Sequence, residues 1–400
     1  MPKTESFLNK SQLPYLMSSI DKKKIAILKE LDKYKKKDLS FSSGRILGSM
    51  CTQPHPIAIE AYQKFIETNI GDPELFPGLK EIQSKLISFV SDLLSAPLKS
   101  AGHIAGGGTE GNITAIWLMK KLSKKREIIV ADSAHFSFDK IASIMDFKLI
   151  KIPLTNEYVM DISKLKNSIS SNTAAIVGIA GSTELGTIDP IPEISDICID
   201  ENIFLHIDAA FGGYVIPFLK ELDYEVPNFD FRLPGVCTIS IDAHKMGYSA
   251  IPLGMVFFRH SKWLNEISVE SPYISSKKQA GIFGTRSGGP IAAAYAVTRY
   301  LGRNGYKKMV ENCMEVTEYT KQRIEEIGLN LVMEPTMNVL GVELKKLQYI
   351  VNKLSKSGWR VNKIDRLSCI RIVLMPQITK NIIDEFIPVL SRICREIGEI

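Results

Sequence analysis

The sequence predicts an α/β protein: a large domain built on a mainly parallel sheet, followed by a smaller α+β domain. Two patterns carry that prediction. Between about residues 100 and 260, short runs rich in Ile, Val and Phe alternate with stretches of helical spacing. Runs that are apolar almost throughout suit strands covered on both faces, and the alternation suits crossover helices. After about residue 300 the pattern changes to long amphipathic helices separated by short strand candidates.

In chain order, residues 1–50 read as a polar helical segment with lysine clusters at Lys22–Lys24 and Lys35–Lys37 on a solvated side. A loop rich in Pro, Gly and Asp follows at Gly71–Gly78. The stretch SAGHIA before the glycines at 106–108 makes a poor buried strand, and Glu110–Leu122 reads as a helix with Ile113, Ile116 and Trp117 on one face. The strand runs are Ile128–Ala131, Leu149–Pro153, Ala174–Ala180, Ile203–Ala209, Cys237–Ile241 and Gly254–Arg259. A helix is expected at Tyr306–Ile327, strands at Val339–Leu344 and Ile370–Leu374, and a last helix at Lys380–Ile397 with Pro388 inside it. The resulting division is an N-terminal segment 1–50, a large domain 51–300 and a small domain 301–400.

Composition narrows the function classes. Apolar residues make up 45% and charged residues 24% of the 400 positions, ordinary values for a globular chain with a sizeable core. The net charge of +6 is modest, and no stretch interleaves basic residues with aromatics, which argues against a nucleic-acid partner. The six cysteines are scattered without a CxxC, so neither a metal site nor a disulfide framework is expected. The opening MPKTESFLNK lacks the apolar core of a secretory signal, and no run is long enough to cross a bilayer. A soluble, cytoplasmic protein with no membrane partner is the expectation.

Four segments carry chemistry. Gly106–Gly108, Thr109 and Gly111 open the helix at Glu110, where free N–H groups and the helix dipole favour a phosphate. Gly106, Gly108 and Gly111 also spell GxGxxG, with Asp132 after the next strand, so a dinucleotide is the rival guest. His135, Asp208 and Lys245 each lie at or just beyond the carboxyl end of a strand run, where open α/β sheets bind ligands. Singly, each has a structural explanation. Together they match the needs of pyridoxal 5′-phosphate: an anion cradle at Gly108 and Thr109, a carboxylate for the ring nitrogen at Asp208, a flat group over the ring at His135 and an amine for the aldehyde at Lys245. Ala210 leaves room for the ring, and His244 can reach the phosphate. A dinucleotide leaves the Asp208 and Lys245 pair without a role.

The strings GGTEGN (Gly107–Asn112), AHFS (Ala134–Ser137), HIDAAFGGY (His206–Tyr214), AHKMG (Ala243–Gly247) and GTRSG (Gly284–Gly288) resemble the archaeal L-tyrosine/L-aspartate decarboxylases. So do LGSMCTQPHP (Leu47–Pro56) and the loop GDPELFPG. These belong to the group II pyridoxal-phosphate-dependent decarboxylases, of aspartate-aminotransferase-like fold (PLP fold type I). The resemblance implies a seven-stranded, mainly parallel sheet, Lys245 as the Schiff-base lysine, and a homodimer with active sites at the interface, where Thr285 reaches the partner's cofactor. It also makes Arg371 of RIVLMP a candidate for the substrate carboxylate. One departure stands out: Gln377 replaces the histidine usual after MP.

The implied reaction is decarboxylation of an L-amino acid, with Tyr273 in SPYISSKKQ a candidate proton donor. The alternative is a carbon–carbon lyase of the sphingosine-phosphate-lyase type. Aspartate, giving β-alanine for coenzyme A, needs a second cation, for which Arg286 or His55 could serve. Tyrosine, giving tyramine, needs apolar walls such as Phe76 or Ile282.

Overall fold

The structure, a computed structural model, describes residues 13–272 and 277–400. Seven strands form the main sheet: β1 (Ala101–Ala105), β2 (Glu127–Ala131), β3 (Lys148–Ile152), β4 (Thr173–Ile179), β5 (Phe204–Asp208), β6 (Val236–Asp242) and β7 (Gly254–Phe258). Their order across the sheet is β1-β7-β6-β5-β4-β2-β3. Neighbours pair in parallel except at β7, which runs against both β1 and β6. Strands β2, β4 and β7 are buried along their whole length. The helix Gly108–Leu122 packs on β5, β6 and β7, and Ile191–Asp200 packs on β4 and β5. Unbroken apolar runs are the sequence consequence of that cover.

The two edges depart from expectation, each for a physical reason. SAGHIA does form a strand, β1, but at the edge, where Ala101 and Gly102 are only half covered. An edge strand needs less apolar surface than a central one. Gly102 sits opposite Phe257, and a Cβ there would lie 2.7 Å from the Phe257 ring and from Ile87, so only glycine lets the strand close. At the other edge, β3 exposes Lys148 and Lys151, so its run is not covered on both faces. Charge at an edge discourages pairing with another chain.

A short antiparallel pair, β8 (Ser268–Glu270) and β9 (Lys278–Ala280), lies outside the main sheet. The C-terminal part carries a three-stranded antiparallel sheet of β10 (Val339–Glu343), β11 (Asn362–Ile364) and β12 (Cys369–Val373) in the order β10-β12-β11. Helices Leu347–Lys356 and Lys380–Glu396 join it around Trp359, Leu354 and Phe386. Leu47 belongs to this core too, and Ile46 bridges to Arg360, so the chain just after residue 45 lies with the C-terminal residues.

The long helix starts at Gly288 rather than Tyr306 and runs to Glu326, with non-helical dihedrals at Gly302 (φ 57, ψ −171). Its first part, GGPIAAAYAV, is small and buried nearly all round, which leaves no amphipathic stripe to detect. Tyr306, Met309 and Val310 pack with the main core, whereas Val316 and Ile324 pack with the small one. Among the described residues, no helix is long and apolar enough to cross a membrane.

Candidate active site

The carboxyl ends of β4, β5 and β6 meet the loops after β1 and β2 around a cavity of about 530 Å³. The parallel register makes this convergence unavoidable, because strands that point the same way end on the same side. Gly108, Thr109, His135, Asp208, His244 and Lys245 all line it, as does Ala210. The four segments singled out in the sequence therefore face one volume.

The glycine loop leaves β1 and becomes the helix Gly108–Leu122 through Gly107, whose φ of 148° suits glycine. No side chain caps that first turn, so its N–H groups and positive dipole end are available to an anion at the cavity wall. The dinucleotide reading fails on topology. The next strand after this helix, β2, lies at the far side of the sheet rather than beside β1. The glycines thus open no contiguous βαβ unit.

Asp208 ends β5 and is 9% exposed. Its Oδ1 accepts from the Ala210 N–H at 3.1 Å, and its Oδ2 accepts from Asn112 Nδ2 at 2.9 Å. Asn112 is itself held. Its Oδ1 lies 3.0 Å from His206 Nε2, and His206 Nδ1 lies 2.9 Å from the Thr238 hydroxyl. Burial pushes the His206 pKa down to about 4 despite the Asp208 charge nearby, so the imidazole is neutral at pH 7. The amide oxygen must receive a proton from Nε2, which leaves Nδ1 to accept from Thr238. The buried chain from Thr238 to Asp208 fixes the carboxylate's rotation. Sequence reasoning missed Asn112 and His206 as site residues, although both lie inside strings it quoted.

His135 forms a side of the cavity. Its Nδ1 accepts from the Ser137 N–H at 3.2 Å, which ties the ring to the start of the helix Ser137–Met145. Burial lowers its pKa, partly opposed by Asp208, so the wall is a flat neutral ring. Lys245 Nζ lies 3.2 Å from Asp242 Oδ2, and His244 Nε2 lies 3.7 Å from the same oxygen. His244 Nδ1 is 2.8 Å from the Leu253 carbonyl oxygen, to which it can donate.

The residues expected around a substrate are less united. Arg371, on β12, is buried behind Thr183 of the cavity wall and donates to the carbonyls of Thr183 and Gly48. Burial pulls its pKa down to about 10, and its Nε has no hydrogen-bond partner among the described residues. Ile282 lines the cavity; Arg286, His55 and Phe76 do not. Arg286 turns its Nη1 to His103 Nε2 at 3.0 Å and to the Ile104 carbonyl at 3.2 Å, beneath β1. His55 packs its ring on Tyr248 and Tyr300, and Phe76 starts the helix Pro77–Leu93. Within this chain, those three are occupied elsewhere. Thr285 is exposed, and Tyr273 lies outside the described residues. Gln377 accepts from the Thr52 hydroxyl at 2.9 Å, with its Nε2 buried and without a partner among the described residues.

This donor set fits pyridoxal phosphate. The uncapped helix start suits the phosphate, the tethered carboxylate a ring nitrogen, and the amine an aldehyde. Ser133 lines the same volume with a buried Oγ that has no hydrogen-bond partner among the described residues.

Fold and site together describe a pyridoxal-phosphate enzyme of fold type I. The chain matches the pyridoxal-dependent decarboxylase conserved domain over residues 49–345 and belongs to that family. It is 45% identical over 372 residues to the L-aspartate/L-glutamate decarboxylase of Pyrococcus horikoshii, across 92% of this chain and 96% of that one. It is 44% identical over 358 residues to the probable L-tyrosine/L-aspartate decarboxylase of Methanothermobacter thermautotrophicus, across 88% and 97% of the two chains. Among solved structures, the sphingosine-1-phosphate lyase of Burkholderia pseudomallei superposes with a TM-score of 0.83 at 24% identity, covering 99% and 92%. The glutamate decarboxylase of Lactobacillus brevis gives 0.83 at 20% identity, covering 100% and 96%. Identities that low speak for the fold alone. The protein's cofactor is pyridoxal 5′-phosphate, and its reaction is the decarboxylation of an amino acid.

Proposed function

We propose that this protein is a cytoplasmic, homodimeric L-aspartate decarboxylase that makes β-alanine, a precursor of coenzyme A. The 45% identity to an aspartate/glutamate decarboxylase over nearly the whole chain is the observation that carries the choice.

Pyridoxal phosphate, when bound, supplies a sink for the electron pair left as carbon dioxide departs. The chain's own groups do the rest. Thr109, the N–H groups of the glycine loop and His244 hold the phosphate. Asp208, kept in rotation by Asn112, holds a proton on the ring nitrogen, and a charge-assisted bond of this kind contributes roughly 1.5–3 kcal/mol. His135 holds the ring flat and excludes water from one face. Lys245 would hold the cofactor's aldehyde carbon through its amine. Arg371 is the guanidinium we assign to a substrate carboxylate, and Tyr273 the donor of the proton that returns to the α-carbon.

Release of carbon dioxide from aspartate, tyrosine and glutamate by the pure holoenzyme tests the substrate. Aspartate is expected to lead in kcat/KM by ~10-fold or more, the scale set by one matched charged group. A lead for tyrosine would overturn the choice, and cleavage without carbon dioxide would favour the lyase.

Exposed apolar residues support the dimer. Ile282 and Phe283 stand exposed at the cavity, beside Thr285. On the helix Leu13–Lys35, Ile27, Leu28, Leu31 and Tyr34 form a stripe with each side chain about half exposed. The double variant Leu28→Asp, Leu31→Asp is expected to weaken self-association ~10- to 100-fold, read by sedimentation velocity across a dilution series. Unchanged association would remove that stripe from the interface.

A further inference from the structure

Asp242 lines the cavity beside Lys245 and is none of the groups assigned to the cofactor or the substrate. It ends β6 and is 2% exposed. A carboxylate this deeply placed costs several kcal/mol unless something charged answers it. Two glycines from separate elements make room for it. A Cβ at Gly254 of β7 would lie 2.5 Å from Asp242 Oδ1, and a Cβ at Gly108 would lie 3.0 Å from Oδ2. Oδ2 faces Lys245 Nζ at 3.2 Å and, more distantly, His244 Nε2 at 3.7 Å, whereas Oδ1 is buried without a hydrogen-bond partner among the described residues.

Besides His244, the titratable groups near this pair are His135, Cys51, Tyr214 and the Asp208 carboxylate of the same cavity wall. Burial lowers the pKa of His135 and raises those of Cys51 and Tyr214, each of which feels the Asp242 charge. Lys245 is the nearer of the two basic side chains that face the acid.

We propose that Asp242 is a positioning residue that docks the ammonium of Lys245 whenever substrate has displaced it from the cofactor. This rests on the reading of Lys245 as the amine that carries the aldehyde carbon. The exchange balances without an outside acid or base. A substrate ammonium forms the new carbon–nitrogen bond, the bond from Lys245 to the same carbon breaks, and the protons the substrate nitrogen loses pass to Lys245. The lysine therefore leaves as an ammonium, and a buried carboxylate 3.2 Å from its nitrogen holds it clear of the α-carbon. Docking of this kind favours the substrate-linked state over the lysine-linked one.

Asp242→Asn tests the proposal in two ways. In cofactor-stripped protein, trace acetylation reads how readily the Lys245 amine reacts, with exposed Lys164 as internal reference. Loss of the acid is expected to raise the relative labelling of Lys245 several-fold, because an amine no longer held 3.2 Å from a carboxylate is freer to react. In the holoenzyme, KM for the substrate is expected to rise more than kcat falls. The smaller Asp242→Ser should repeat both effects if the amide variant folds poorly. Unchanged Lys245 labelling in soluble variants would overturn the docking role. Borohydride trapping of the cofactor on wild-type Lys245 is read in parallel, because its absence would instead overturn the assignment of that lysine.

Discussion

Lys245→Ala is expected to lose the covalently held cofactor and to lower turnover by on the order of 10⁴-fold or more, as deletion of a covalent group does in other enzymes. Borohydride should no longer fix a pyridoxyl group to the chain, and the visible absorbance of the bound cofactor should disappear. The alanine variant has a second consequence. Lys245 is the nearer basic side chain on Asp242, so truncation leaves the buried acid facing His244 at 3.7 Å. Removal of one partner from a buried pair costs about 3–5 kcal/mol, so a lowered melting temperature should accompany the loss of activity. Lys245→Arg separates the two effects. The guanidinium keeps a positive charge beside Asp242 but cannot carry the aldehyde, so stability should recover while activity does not. Either variant retaining trapped cofactor, or more than a trace of turnover, would end the assignment.

The sequence made the central sheet legible for a reason visible in its packing. Strands β2, β4 and β7 are covered on both faces, so each reads as an apolar run with sharp ends. The edges lack that signature. β1 depends on Gly102 slipping past Phe257, a contact that no local pattern announces. Thr109, His135, Asp208 and Lys245 could be read together because parallel strands end on one side. Any group just past those ends is then a neighbour of the others.

What the sequence could not convey is direction. Arg286 reads as a spare cation near the site, but its loop turns the guanidinium toward His103. Asn112 stands within a quoted string and Asp242 just before one, and both gain meaning only from distances, 2.9 Å to a carboxylate and 3.2 Å to an amine. His206 reads as one more polar residue in a strand. Its importance lies in being buried, neutral and hydrogen-bonded at both nitrogens.

Asp208→Asn is expected to lower kcat by ~10²-fold or more, a loss of about 3 kcal/mol, with a smaller change in KM. The carboxylate is placed to keep a proton on the ring nitrogen, and that charge matters most while electrons leave the breaking bond. A neutral amide cannot hold the proton. It would also turn an N–H₂ group toward either Asn112 Nδ2 or the Ala210 N–H, both donors, so the new side chain is mismatched with its setting. The companion variant Asn112→Ala keeps the charge but frees the carboxylate to rotate. Its effect should be nearer tenfold, the worth of one hydrogen bond to a charged group. A purely structural Asp208 predicts a different pattern: falling stability in both variants, with kcat in the folded fraction unaltered. If Asp208→Asn bound the cofactor and turned over at the wild-type rate, the carboxylate would have no electronic role.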